Sequence, residues 1–235
     1  MLPIAILVGG FGTRLGSLTQ TTPKCMLPIN GKPFVYWQIQ LLKRAGFEDF
    51  VFCASHLSDE IETFVQDGSR FGIKASYSLD GETQLGTGGA IVKALPLLGS
   101  EFAVIYGDSY LPIEYSSIEL AFKKSSAQGM MSIFKNIGKF DKSNAELLSD
   151  GYVNYQKGSK STRMSYIDYG LMYFKAEVFE ILKANQTIDL ADICEQLSKT
   201  KKLIGFEVFD RFYEIGSVAG IEEFSKYLLE SKNEL

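Results

Sequence analysis

Four glycines within eight residues, Gly9, Gly10, Gly12 and Gly16, follow a short apolar run from Ile4 to Val8. Arg14 stands inside this loop, and Lys24 follows about ten residues later. Glycines let the backbone turn sharply and bring its N–H groups close to a ligand. Arginine adds a planar cationic fork and lysine a mobile point charge. Together these groups suit a triphosphate, with amides to hold oxygens and two cations to offset charge. Leu7, Gly9, Gly10, Gly12 and Thr13 are the candidate nucleotide-binding residues, with Arg14 and Lys24 as the candidate catalytic cations.

Two other glycine-loop chemistries fail here. A Walker loop needs Gly, four residues, then Gly-Lys-Ser/Thr, and no glycine of this stretch fits that frame. The dinucleotide fingerprint is met at Gly10 and Gly12 but has Leu15 in its third place. A glycine-rich turn with stray surface cations is the plain structural alternative.

Two further places carry chemistry. Leu85-Gly86-Thr87-Gly88-Gly89-Ala90 is a second glycine cluster between a strand-like and a helix-like stretch. Such clusters mark ordinary turns, but in parallel-sheet proteins ligands bind at the carboxyl ends of strands. Asp108 follows an apolar strand in Tyr106-Gly107-Asp108-Ser109. A carboxylate there either caps a turn or holds a hard divalent cation such as Mg²⁺, which takes one or two carboxylates plus phosphate oxygens.

These residues need strands that end together and helices that cover them. Ile4–Val8, Phe50–Ala54, Ile73–Ser78 and Phe102–Tyr106 read as strands. Between them lie a helix with Phe34, Trp37, Leu41 and Ala45 on one face, a second opened by Ser58-Asp59-Glu60, and a third from Gly86 to Leu98. This alternation predicts a single α/β domain with a mostly parallel central sheet sandwiched by helices, Rossmann-like in kind. After Asp108 the rhythm changes. Strands are expected over 128–135, 152–156, 164–175 and 203–209, short helices near 176–184 and 189–198, and a last helix from about Ser217. The polar stretch 136–161 reads as a loop or hairpin bordering a site. The expected division is a nucleotide-binding half over about 1–110 and an acceptor-binding half over about 111–235, in one domain.

Composition bounds the rest. With 46% hydrophobic residues in 235 positions, the chain is globular rather than disordered. A net charge of −4 argues against nucleic-acid and anionic-membrane partners. Cys25, Cys53 and Cys194 lack metal-type spacing, and Met1 leads into a strand rather than a signal segment. A cytoplasmic protein, monomeric or homodimeric, is expected.

The pattern Gly-Gly-x-Gly-Thr-Arg-Leu at 9–15, followed by Pro-Lys-x-Met-x-Pro at 23–28, resembles the signature of the sugar-1-phosphate nucleotidyltransferases. Within that family the chain looks most like the short bacterial heptose-1-phosphate guanylyltransferase and N-acetylmuramate-1-phosphate uridylyltransferase type. Cys25 departs from it, standing where a second proline is usual. The resemblance implies base contacts from Gln84, Gly88 and Gly89, and Mg²⁺ held by Asp108. Its late aromatic-x-Asp-x-Gly-Thr motif becomes Phe212-Tyr213-Glu214-Ile215-Gly216-Ser217, so Glu214 replaces the second metal-binding aspartate. Lys157 takes the place of the lysine that pairs with the sugar phosphate, although the usual Glu-Lys-Pro context is missing and a solvated lysine is an equal reading. Gly107 and Asp168 fall in segments facing the acceptor; a carboxylate accepts sugar hydroxyls well.

The implied reaction joins a nucleoside triphosphate to a sugar 1-phosphate and expels pyrophosphate. Arg14 would hold the leaving β- and γ-phosphates and Lys24 the α-phosphoryl charge. Leu85–Ala90 leans toward the heptose guanylyltransferases, whereas Asp67-Gly68-Ser69-Arg70-Phe71-Gly72 also occurs in the muramate type. Cytidylyl and thymidylyl transfer remain open, as does a non-catalytic nucleotide-sugar-sensing subunit, for which Glu214 is the motive.

Overall fold

The structure, a computed structural model, describes residues 1–10, 15–16, 19, 21–55, 57–81, 83–138, 140, 142–158, 161–183 and 186–231. In chain order, β1 (Ile4–Leu7) leads to a two-residue ribbon of β2 (Pro28–Ile29) and β3 (Lys32–Pro33), turned by Asn30 and Gly31. Both turn residues have positive φ, 49° and 80°, as a tight Asn-Gly hairpin requires. Helix α1 (Phe34–Arg44), β4 (Asp49–Ala54), α2 (Ser58–Val65), β5 (Lys74–Leu79), α3 (Gly86–Leu98) and β6 (Glu101–Tyr106) continue the alternation. Next come β7 (Ser109–Tyr110), α4 (Tyr115–Lys124), β8 (Gly129–Lys135), β9 (Ala145–Leu147) and β10 (Val153–Tyr155). The chain closes with β11 (Tyr166–Lys175), α5 (Glu177–Glu180), α6 (Leu190–Lys199), β12 (Leu203–Val208), β13 (Tyr213–Glu214) and α7 (Val218–Ser231).

The expected α/β sheet is present. Strands β5, β4, β1 and β6 are adjacent and parallel, with Ile4 beside Phe50 on one side and Ala103 on the other. Strand β11 joins antiparallel to β6 through Leu171 and Ile105, and carries β8 and then β12 beyond it. Strand β1 is buried throughout because both faces are covered. Ile4, Ile6, Phe50 and Phe52 meet Val35, Ile39, Ile61, Ile118 and Phe122 from α1, α2 and α4. Ala5, Leu7, Val51 and Cys53 meet Ile91, Ala94, Leu98, Ile193 and Leu197 from α3 and α6. The strand period of two sorts neighbouring residues into these two cores. A third, smaller cluster seats Phe224 and Leu228 of α7 on Phe34 and Tyr110.

Sequence reading gave no helix over 115–124, yet α4 is present. Glu114 caps it by accepting from the amides of Ser116 and Ser117, and Tyr115, Ile118 and Phe122 are buried at helical spacing. The helix expected near 176–184 shrinks to the four residues of α5. The polar stretch 136–161 contains the hairpin of β9 and β10, held through Ala145 to Tyr166 of β11.

Candidate functional site

The carboxyl ends of β1, β4 and β6 open on a cavity of about 290 Å³. Leu7, Gly9, Gly10, Lys24, Gln84, Gly107 and Asp108 all line it, which brings seven of the twelve expected residues that the structure describes to one place. Gly12, Thr13 and Arg14 lie outside the described residues. The loop after β1 is held at its start: the Gly9 carbonyl accepts from Ser55 Oγ at 2.7 Å and from Gln84 Nε2 at 2.9 Å. A Cβ on Gly9 would stand 2.9 Å from Ser55 Oγ, which gives that glycine a packing reason. Cys25 and Cys53 also line the cavity, and burial pushes both thiols up to about 12, leaving them protonated and inert at neutral pH.

Lys24 stands in a single 3₁₀ turn, Lys24–Met26, entered from Pro23. Its Nζ meets Asp108 Oδ2 at 2.7 Å, with both side chains largely buried. A charge-assisted bond in so enclosed a place is stronger than its surface equivalent. Asp108 sits just after β6 in a turn whose glycine is obligatory, because a Cβ on Gly107 would lie 2.6 Å from Val8 Cγ1. Glu214 arrives by the short ladder of β13 on β7, where it pairs with Ser109, while the Ile215 amide donates to the Asp108 carbonyl at 3.0 Å. The backbone therefore brings Glu214 within one residue of Asp108. Glu214 itself is exposed and does not line the cavity, so of the pair only Asp108 faces it; one or two such carboxylates with phosphate oxygens is the kind of donor set Mg²⁺ takes. Among the described residues no group of three or more His, Cys, Asp or Glu side chains gathers around one ion position.

The second glycine cluster differs from expectation in part. Gly86 and Thr87 face the cavity with Ala90, but Gly88 and Gly89 do not line it. Their amides donate to the Ile188 carbonyl at 2.8 and 3.2 Å. A Cβ on Gly88 would press Ile193 and Ile188, and one on Gly89 would collide with the Gln186 carbonyl. Close packing of α3 against 186–193 is what those two glycines serve, and their amides are not open to a base. The physical reason is tertiary: the partner segment lies about a hundred residues on.

Lys157 is placed beside the site rather than in its lining. It forms an ion pair with Asp189, the residue that caps α6, and its amide donates to Glu195 Oε1 at 2.8 Å. Asp189 Oδ1 also accepts from Thr87 Oγ1 at 3.1 Å. Thr87, Asp189 and Lys157 thus form one polar chain from the cavity wall outward, and the ion pair and Thr87 hydrogen bond hold the Asp189 carboxyl below its ordinary range. Asp168 accepts from the Gly170 amide at 2.9 Å, and desolvation pushes its carboxyl up to about 7. Burial, and then the Asp168 charge, raises the hydroxyls of Tyr106 and Tyr155; Asp168 itself does not line the cavity. Asp80, Thr87, Tyr106 and Asp189 were not singled out by sequence reading. Asp189 alone carried a local signal, an Asp directly before a helical stretch.

The family model described as Nucleotidyl transferase matches residues 4–231. The chain is 29% identical over 225 residues to the N-acetylmuramate alpha-1-phosphate uridylyltransferase of Neisseria meningitidis serogroup B, covering 93% of this chain and 94% of that protein. It is 28% identical over 212 residues to the D-glycero-alpha-D-manno-heptose 1-phosphate guanylyltransferase of Campylobacter jejuni, covering 90% and 93%. Among solved structures, HddC from Yersinia pseudotuberculosis complexed with GMP-PN superposes with a TM-score of 0.79 at 24% identity, covering 97% of this chain and 100% of that one. The inositol-1-phosphate CTP transferase from T. maritima gives a TM-score of 0.81 at 21% identity, covering 99% and 96%. At these identities the two structures establish a shared fold.

Proposed function

Because the chain belongs to the nucleotidyl transferase family, we propose that it transfers a nucleotidyl group from a nucleoside triphosphate to a sugar 1-phosphate, with GTP and a heptose 1-phosphate as the favoured pair. The observation that carries the reaction class is the Lys24–Asp108 pair at the mouth of three parallel strands, beside the start of the glycine loop. The product would be a GDP-heptose of the kind used for surface polysaccharide, with pyrophosphate released.

The chemistry needs positioning more than proton transfer. A phosphate oxygen of the sugar 1-phosphate attacks the α-phosphorus in line; the new O–P bond forms as the bond to the β-phosphate oxygen breaks. That nucleophile is already ionised near neutral pH, so no histidine base is required. Lys24 neutralises charge as it builds on the α-phosphoryl group, and Arg14 does the same for the leaving pyrophosphate. Leu7, Gly9, Gly10, Gly12 and Thr13 seat the triphosphate, and Gln84 reads the base. Lys157, steered by Asp189, pairs with the acceptor phosphate. Asp108 and Glu214 would hold Mg²⁺, which neutralises phosphate charge when bound.

Two observations favour a hydroxyl-rich sugar on the acceptor phosphate. Asp168 and Asp189 both stand near Tyr106 and Tyr155, and Lys157 is already paired with Asp189. Carboxyl groups so placed suit sugar hydroxyls. The Asp67–Gly72 motif, which would argue for the muramate type, has a structural explanation. It builds the turn between α2 and β5, where Asp67 Oδ1 accepts from Ser69 and Gly68 takes φ 83° against Ile73. Uridylyl transfer to N-acetylmuramate 1-phosphate stays as the second reading on the strength of the Neisseria relative. Steady-state kinetics with GTP and UTP against both acceptors separates them. A higher kcat/KM for GTP with the heptose is expected; a preference for UTP with N-acetylmuramate 1-phosphate would reverse the assignment.

A further inference from the structure

We propose that Gln38 is a positioning residue for the Asp108 carboxylate, clamping from α1 the turn that carries it. The inference rests on the reading of Asp108 as a holder of the divalent cation. Gln38 lies in the middle of α1 and is fully buried. Its Nε2 donates to the Tyr106 carbonyl at 2.9 Å and to the Ser109 carbonyl at 2.7 Å. Those two carbonyls bracket Gly107 and Asp108.

The same turn is tied from other directions. The Gly107 amide donates to the Leu7 carbonyl at 2.9 Å, the Ile215 amide donates to the Asp108 carbonyl, and Lys24 holds the Asp108 carboxylate. Gly107 already sits against Val8 and Leu7, so the turn cannot shift toward β1. Gln38 fixes it on the α1 side. The Gln38 amide thereby completes the ties that set the reach of Asp108 toward the cation, and metal sites are sensitive to such support: losing an outer partner typically weakens metal binding about 10–100-fold.

Packing alone gives no reason for an amide here. The other buried side chains of α1 are Phe34, Val35, Ile39 and Leu42, all apolar. Gln38 Oε1 is buried with no hydrogen-bond partner among the described residues, an arrangement that costs stability. Methionine has the same length and fills irregular core space well. What methionine lacks is the pair of donors that reach Tyr106 and Ser109.

The test replaces Gln38 by Met and reads two quantities: the Mg²⁺ concentration for half-maximal turnover, and Mn²⁺ binding to the protein–nucleotide complex by electron paramagnetic resonance without turnover. Gln38→Met is expected to weaken both about 10–100-fold while the triphosphate KM at saturating Mg²⁺ barely moves. Ile39→Val, a neighbouring buried trim that leaves the donors in place, is the control and should leave both unchanged. Wild-type Mn²⁺ binding in a folded Gln38→Met, or equal weakening in Ile39→Val, would overturn the proposal. If the methionine variant does not fold, Gln38→Glu, which as a buried neutral acid keeps one donor, should give a smaller shift in the same direction. Undiminished Mn²⁺ binding in Asp108→Asn would instead overturn the Asp108 assignment beneath it.

Discussion

In the proposed reaction Lys24 is the residue on which most of the chemistry converges. Its ammonium lies 2.7 Å from Asp108 and lines the same cavity as Gly9 and Gly10. Lys24→Ala should fold with a melting temperature near that of the parent yet lose roughly 10²–10³ in kcat; near-normal turnover would remove Lys24 from the reaction. Asp168 makes a different prediction. Its folded carboxyl is raised to about 7 by burial, against about 3.9 in the unfolded chain. Between those values the native state binds more protons than the unfolded one, so stability contributed at this position falls as pH rises from about 4 to about 7 and is level above. Asp168→Asn should therefore gain on the parent across that window in urea titrations, and a pH-independent difference would contradict the burial of this carboxyl. Lys24 and Asp108 were legible because their neighbours are local: a glycine loop and a strand end. Gln38, 71 residues from Ser109, and Asp189, 102 from Thr87, were not, because packing alone makes those pairs meet.

At the scale of elements, α3 shows how one stretch serves two purposes. Gly86 and Thr87 line the cavity, while Gly88 and Gly89 on the same turn admit the 186–193 segment that carries Asp189. Gly89→Ala would drive a methyl into the Gln186 carbonyl, and overpacking of this kind costs about 1–3 kcal/mol. Urea unfolding should show that loss; unchanged stability would mean the segment yields freely. Sequence reading located this glycine cluster and assigned it to a ligand, since a turn and a ligand loop have the same local signature. Helix α4 escaped for a related reason. Its cap is Glu114, outside the residues usually preferred at that position, so its start lacked the expected mark although its buried spacing was regular.

The whole molecule is one sheet read in two senses. Strands β1, β4 and β6 run parallel with β5 and end at the cavity, and this half was legible because those three carry unbroken apolar runs, Ile4–Val8, Phe50–Ala54 and Phe102–Tyr106, with helical stretches between them. Strand β11, which carries Asp168, reverses direction against β6. That reversal, and the return of β13 to β7 with Glu214, depend on pairings between distant strands, which no local pattern announces. Among the described residues no helix is long and apolar enough to cross a membrane. The most direct test of this arrangement is release of pyrophosphate by the purified protein from a nucleoside triphosphate, with and without Mg²⁺ and a sugar 1-phosphate, with the nucleotide sugar identified by mass. Release that requires the triphosphate, the acceptor and Mg²⁺ together is the expected result; nucleotide binding without release across four triphosphates and hexose, heptose and amino-sugar 1-phosphates would contradict it and point to a sensing role.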